Sequence, residues 1–321
     1  MATVLATPAT MRLDEAQAAL VALLRRLEGL GYRFTTITSG SHGRVVDRRP
    51  GALARDLRDL LGWSLPAPPG SLDEEVIALL DRAGMLRTED GLLKSAVRVS
   101  SVDGRLFLHS AWPTREKDSV FLGPDSYRFV RFLGQAFPRT PPRRIIDIGA
   151  GAGVGAISAA ALAPRARIQM TEINPAAARL AAVNAAAAGV EAECVEAPGV
   201  EGVARGFDLA IANPPFMAGS SGRTYSAGGG RCGEQISLDW ARAALERMAP
   251  GGRLIMYTAS AIAEGGEDRL RTALDGIARD RQATLDYDEI DPDIFGQVLS
   301  MESYRRVERI AAVGVVLRRP G

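Results

Sequence analysis

Three short runs in this 321-residue chain carry residue types that could bind and orient a ligand. The first, Asp147-Ile148-Gly149-Ala150-Gly151-Ala152-Gly153, follows an acid with three alternate glycines. Glycines let the backbone turn sharply and approach a ligand with no side chain between them. A nicotinamide-type fingerprint requires a further glycine where Val154 stands, so that fingerprint is absent. The second run, Thr171-Glu172-Ile173-Asn174-Pro175, places a carboxylate nineteen residues beyond Gly153. At a strand tip, such a carboxylate can accept from both hydroxyls of a ribose. The third, Asn213-Pro214-Pro215-Phe216, offers a side-chain acceptor, a carbonyl on a rigid turn at Pro214, which has no N–H, and an aromatic face at Phe216.

The run Asp147 to Gly153 resembles motif I of class I S-adenosylmethionine-dependent methyltransferases. That resemblance implies that Gly149, Gly151 and Gly153 cup the methionine part of S-adenosyl-L-methionine, with Asp147 helping to hold its ammonium group. The stretch from Glu172, with Asn184, resembles motif II, which implies Glu172 on the ribose and Ile173 packed on adenine. Glu196 stands where many relatives carry an Asp that bonds the adenine amino group, although the following Ala197-Pro198-Gly199 departs from the usual form. The tetrapeptide Asn213 to Phe216 resembles motif IV of enzymes that methylate a planar nitrogen, such as the release-factor glutamine methyltransferases and small-domain N-methyltransferases. It implies that Asn213 also borders the cofactor.

The chemistry of such a nitrogen explains the residue types. Its lone pair is delocalised, so acceptors at Asn213 and Pro214 would hold both hydrogens and aim the lone pair, while Phe216 stacks on the planar group. Orientation then supplies much of the rate and no strong base is needed. Two departures stand out: release-factor enzymes usually carry Tyr where Phe216 stands, and the N-terminal third does not match their helical substrate-binding domain.

The elements that must position these runs alternate from Arg143 onward. Strands are expected at Arg144 to Ile148, Arg167 to Thr171, Ala192 to Val195, Phe207 to Ala212, Arg253 to Thr258, Ala283 to Ile290 and Ile310 to Leu317. Helices are expected at Val154 to Leu162, Ala176 to Ala187, Ile236 to Met248 and Asp268 to Ala278. Alternation of this kind predicts an α/β fold with a seven-stranded, doubly wound class I methyltransferase sheet whose ligand lies at the carboxyl ends of the strands. The excursion from Asp291 to Arg309 reads either as a substrate cover containing Phe295 or as a surface helix, Met301 to Glu308. Phe121-Leu122-Gly123-Pro124-Asp125-Ser126-Tyr127 resembles the segment that covers the cofactor in such enzymes, with an ordinary domain junction as the alternative, and Gly222 to Gly233 reads as a mobile lid or substrate loop.

Upstream, helices are expected at Leu13 to Leu30, Leu53 to Leu61 and Leu72 to Ala83, the last capped by Ser71. Strands Leu92 to Ser100 and Arg105 to Ser110, joined by Asp103-Gly104, form a hairpin. The pattern suggests a smaller, winged-helix-like α+β domain over residues 1–115, making substrate or dimer contacts, and a catalytic domain over 116–321. His109 reads as an exposed strand residue.

Composition narrows the partners. Lys plus Arg (39) balances Asp plus Glu (38), and no basic cluster marks the third helix, so strong nucleic-acid binding is not expected. Two histidines and two cysteines without ligand spacing argue against a metal site and for a reducing cytoplasm, and no apolar stretch reaches the roughly 18 residues of a membrane span. The sequence leaves monomer and homodimer open. The reading is an N-methyltransferase acting on a protein glutamine or nucleobase. The alternatives are a small-metabolite methyltransferase, a cyclase or alkyl transferase that consumes the same cofactor, and a cofactor-binding module without catalysis.

Overall fold

The computed structural model describes residues 13–217, 228–229 and 232–321. Helix α1 (Glu15–Gly29) starts at a capping box, Asp14 with Gln17, and buries Leu20, Leu23, Leu24 and Leu27. Helices α2 (Ser39–Asp47), α3 (Leu57–Leu61) and α4 (Glu74–Arg82) follow, each begun by a side-chain cap, at Thr38, Asp56 and Asp73. The helix expected from Leu53 thus begins four residues later, at Leu57, and the third is capped by Asp73 instead of Ser71.

The expected hairpin is two ribbons. Strands β1 (Leu86–Glu89) and β2 (Leu92–Ser95) form one, and β3 (Val97–Val102) and β4 (Arg105–Ser110) form the other. The break falls where the Ser95 hydroxyl bonds both the N–H and the carbonyl of Val97. His109 is fully buried, not exposed, because a second layer bearing Thr36 and His42 covers that face of the ribbon.

Helix α5 (Pro124–Ala136) leads into β5 (Arg144–Ile148), α6 (Val154–Leu162), β6 (Arg167–Glu172), α7 (Pro175–Ala187), β7 (Ala192–Glu196) and β8 (Leu209–Ala212). Then come α8 (Gln235–Arg247), β9 (Arg253–Ala263), the short β10 (Glu267–Asp268), α9 (Arg269–Asp280), β11 (Thr284–Asp291) and β12 (Val307–Arg318). The strands lie in the order β11-β12-β9-β8-β5-β6-β7, with β10 added at the end of β9. Strands β5 to β9 are parallel, and β12 is antiparallel to both of its neighbours. This is the class I methyltransferase topology that the alternating pattern predicted.

Period-two alternation builds the two faces of the sheet. Ile145, Met170 and Ile211 pack with Ile157 of α6 and Val183 of α7. Ile146, Ile148, Ala210 and Met256 pack with Leu238 and Leu245 of α8 and Leu274 of α9. Chain order reverses direction between β5 and β8, so the crevice there is the natural ligand position. It receives the glycine turn from one strand and Asn213 from the other.

The excursion between β11 and β12 holds two short 3-10 turns, Gly296–Ser300 and Glu302–Tyr304, in place of the surface helix Met301 to Glu308. Ile294 and Tyr304 are its buried anchors.

Candidate active site

The glycine turn between β5 and α6 uses its three glycines differently, although all three have left-handed φ of +65°, +55° and +77°. A Cβ at Gly149 would lie 2.4 Å from the Trp240 ring, whereas one at Gly153 would press on Ala181 of α7 at 3.3 Å. A Cβ at Gly151 would meet nothing within 4 Å. Open space therefore lies over Gly151, where a ligand can touch backbone.

Glu172 ends β6 beside it. One carboxylate oxygen accepts from the Gly151 N–H at 2.8 Å and the other from the Asn174 N–H at 2.8 Å. Each oxygen keeps a lone pair for a ribose hydroxyl. Ile173 is 51% exposed, a large apolar side chain left uncovered at the strand tip, suited to packing on a base. Glu196 is exposed at the end of β7, in register with Glu172. Beyond it the Pro198 carbonyl accepts from the Trp240 indole at 3.1 Å. Trp240 thus spans the glycine turn and the loop after β7, a wall that a lone Trp in an amphipathic helix gave no sign of.

Asp147 lies beneath this turn. It is 2% exposed, and its carboxylate accepts from the Ala156 N–H of α6 at 2.7 Å. Burial pushes its pKa up to about 7, against the lowering effect of that hydrogen bond. Cys194 on β7 is also raised by burial, to about 12, so its thiol stays protonated. Asn184, in α7, bonds the Leu108 N–H and carbonyl and the Ala152 carbonyl at 2.8, 3.0 and 2.9 Å, tying the N-terminal ribbon to the glycine turn.

Asn213 follows β8 directly, and its carboxamide has no hydrogen-bond partner among the described residues. Pro214 is buried, and Pro215 and Phe216 are half-buried. Phe216 meets Phe295 from the excursion, ring centroids 5.7 Å apart and planes at 56°. Phe295 itself has φ of +56°, a conformation unfavourable for an aromatic side chain. Of the expected substrate loop, residues 222–227 and 230–231 lie outside the described residues, but its end returns to this turn. A Cβ at Gly233 would lie 2.1 Å from the Phe216 carbonyl, so only glycine lets the chain pass.

The segment before α5 runs alongside. The Asn174 amide donates to the Asp118 carbonyl at 2.8 Å, and Phe121 is 39% exposed. Asp125 is 2% exposed and accepts from the Tyr257 hydroxyl of β9 at 2.7 Å.

Residues 128–264 match the family model described as Methyltransferase small domain. The chain is 34% identical over 124 residues to the ribosomal RNA small subunit methyltransferase C of Hahella chejuensis, covering 39% of this chain and 33% of that protein. It is 28% identical over 182 residues to the release factor glutamine methyltransferase of Deinococcus radiodurans, covering 53% of this chain and 66% of that one. Less than two-thirds of either relative is therefore spanned. Among solved structures, M. jannaschii TYW2 in complex with AdoMet aligns over 73% of this chain and 92% of that one, at 14% identity and a TM-score of 0.48. S-adenosyl-L-methionine is the cofactor of this domain class, and the open space over Gly151, the Glu172 carboxylate and the uncovered Ile173 fit it. Among the described residues no helix is long and apolar enough to cross a membrane.

Proposed function

We propose that the chain is an S-adenosyl-L-methionine-dependent methyltransferase acting on a planar amide or amino nitrogen held at Asn213-Pro214-Pro215-Phe216. The observation that carries this reading is the Asn213 carboxamide, which nothing among the described residues bonds, just past the end of the strand next to the one that delivers the glycine turn. When bound, the cofactor supplies an activated sulfonium methyl. The chain's own residues have the remaining task of orientation. Asn213 and the Pro214 carbonyl accept the two N–H bonds of the acceptor, fixing its plane so that the lone pair points along the transfer axis. Phe216, backed by Phe295, stacks on that plane and excludes water from it.

The relatives support this class of acceptor in part, since one is named for release-factor glutamine, whose carboxamide nitrogen is planar, and the other for ribosomal RNA. The test is mass spectrometry of products formed from cofactor with cell extract. The wild type should yield S-adenosylhomocysteine and an N-methylated product. Asn213→Ala should lower turnover by about 10²-fold, the scale of a lost preorganised polar contact. Accumulation of methylthioadenosine in place of S-adenosylhomocysteine would replace methyl transfer by alkyl transfer, and an O- or C-methylated product would remove the nitrogen assignment.

A further inference from the structure

Among the described residues Arg98 is a buried cation with no carboxylate partner. It lies on β3 opposite His109 of β4 and is 5% exposed. Its Nε donates to the Ser110 carbonyl at 3.0 Å. Among the described residues nothing bonds its two terminal nitrogens. Two other buried charges among the described residues are paired with side chains. Asp59 is paired with Arg49 and Arg55, and Asp125 with Tyr257 and Arg128.

The groups that act on Arg98 electrostatically are Tyr32, Tyr127, His42 and His109, with no carboxylate among them. Burial lowers both histidines, His42 to about 4, so they are neutral at pH 7. Arg98 is lowered only to about 10 and stays charged. Two further polar atoms lack partners. His42 Nε2 faces the Trp63 carbonyl at 3.1 Å, which makes it the donor and leaves Nδ1 a bare acceptor, and His109 Nδ1 is likewise unmatched. This cluster is tied to helix α5. The Thr36 N–H donates to the Tyr127 hydroxyl at 2.9 Å, and Tyr127 stands two residues after Asp125 on α5.

An unpaired buried guanidinium carries a desolvation penalty that an anion would offset, and its planar fork suits a carboxylate or phosphate. We propose that Arg98 is the centre of an oxyanion-binding site on the N-terminal part of the chain, taking a carboxylate or phosphate group. Within the methyl-transfer reading, on which only this clause rests, the group belongs to the acceptor and sets its specificity.

The experiment is a thermal-melting and calorimetric titration of the full chain without cofactor. Sodium phosphate and sodium acetate are compared with sodium chloride at constant ionic strength. A saturable rise in melting temperature is expected with at least one oxyanion, acetate alone assigning a carboxylate and phosphate alone a phosphate. Arg98→Met should abolish saturation. Arg98→Lys, which keeps the charge and decides the matter if the Met variant does not fold, should weaken binding by about tenfold. A chloride-like response in the wild type, or saturation unchanged in Arg98→Lys, would overturn the proposal. Methyl transfer is not measured in either arm, so this result and the fate of the methyl-transfer reading are independent.

Discussion

The Glu172 carboxylate and the Gly151 N–H are joined by a 2.8 Å hydrogen bond, so the acid expected on the ribose also fixes the turn expected around the methionine part. Its second oxygen fixes Asn174, which in turn holds the Asp118 carbonyl. One carboxylate therefore orders three pieces of the proposed cofactor site.

Loss of that group should be felt first in binding. Glu172→Ala should weaken S-adenosylhomocysteine binding by roughly 1 to 3 kcal/mol, the scale of a lost charge-assisted partner, in a calorimetric titration. Glu172→Gln keeps one acceptor oxygen and should lose less. NADH should not bind either form, because the glycine its fingerprint requires is replaced by Val154. Unchanged affinity in the Ala variant would remove Glu172 from the site.

Phe295 distinguishes a cover from packing. Its ring is half-buried against Phe216, while its neighbour Ile294 is 5% exposed. Phe295→Gly should impair turnover and leave cofactor affinity intact. Its melting temperature should hold or rise, since glycine relieves the cost of a non-glycine residue at positive φ, of order 1 to 3 kcal/mol. Ile294→Ala should instead lose about 2 to 5 kcal/mol of stability in denaturant unfolding. A Phe295→Gly variant that melts early would make the ring structural.

Asp147 gives the fold a pH signature. Its folded pKa is raised to about 7 from an unfolded value near 3.8, so the folded state binds the extra proton between those values. The stabilisation is complete below the unfolded pKa and is lost as pH rises towards 7. Asp147→Asn removes the titration. Its melting temperature relative to wild type should therefore increase across pH 4 to 7. A difference that does not change with pH would show that Asp147 titrates normally.

The parallel sheet was legible because its strands are short runs of β-branched and apolar residues buried on two faces, such as Ile145 to Ile148, each followed by a helix pattern. The same local signals placed Asn213 and the glycine turn on neighbouring strand ends. Period two, however, reports only that two faces differ, so it could not show that a second layer covers His109 and Arg98. Trp240 and Asn184 act through contacts distant in sequence, and spacing carries no record of those. Of the two readings of the excursion, the surface helix fails for a related reason: Met301 and Tyr304 have helical spacing, but only Tyr304 of the two is buried, and a short 3-10 turn forms there instead.

Asn184 offers the sharpest test of how the two parts of the chain are coupled. It is fully buried, and its three hydrogen bonds match the Leu108 N–H and carbonyl and the Ala152 carbonyl, the last within the glycine turn. Asn184→Leu keeps the volume but orphans all three, which should cost on the order of 2 to 5 kcal/mol and loosen cofactor binding as the turn is released. Asn184→Asp separates the bonds. Its oxygen can still accept from Leu108, yet an ionised carboxylate would face two carbonyls it cannot bond, and burial would raise its pKa. A protonated carboxyl can donate to one of them, so the deficit of this variant should shrink as pH falls and grow as pH rises through the raised pKa. Hydrogen exchange at the Leu108 amide checks the assignment directly. Protection should survive in the Asp variant and be lost in the Leu variant, and equal loss in both would mean that the ribbon is not held through Asn184.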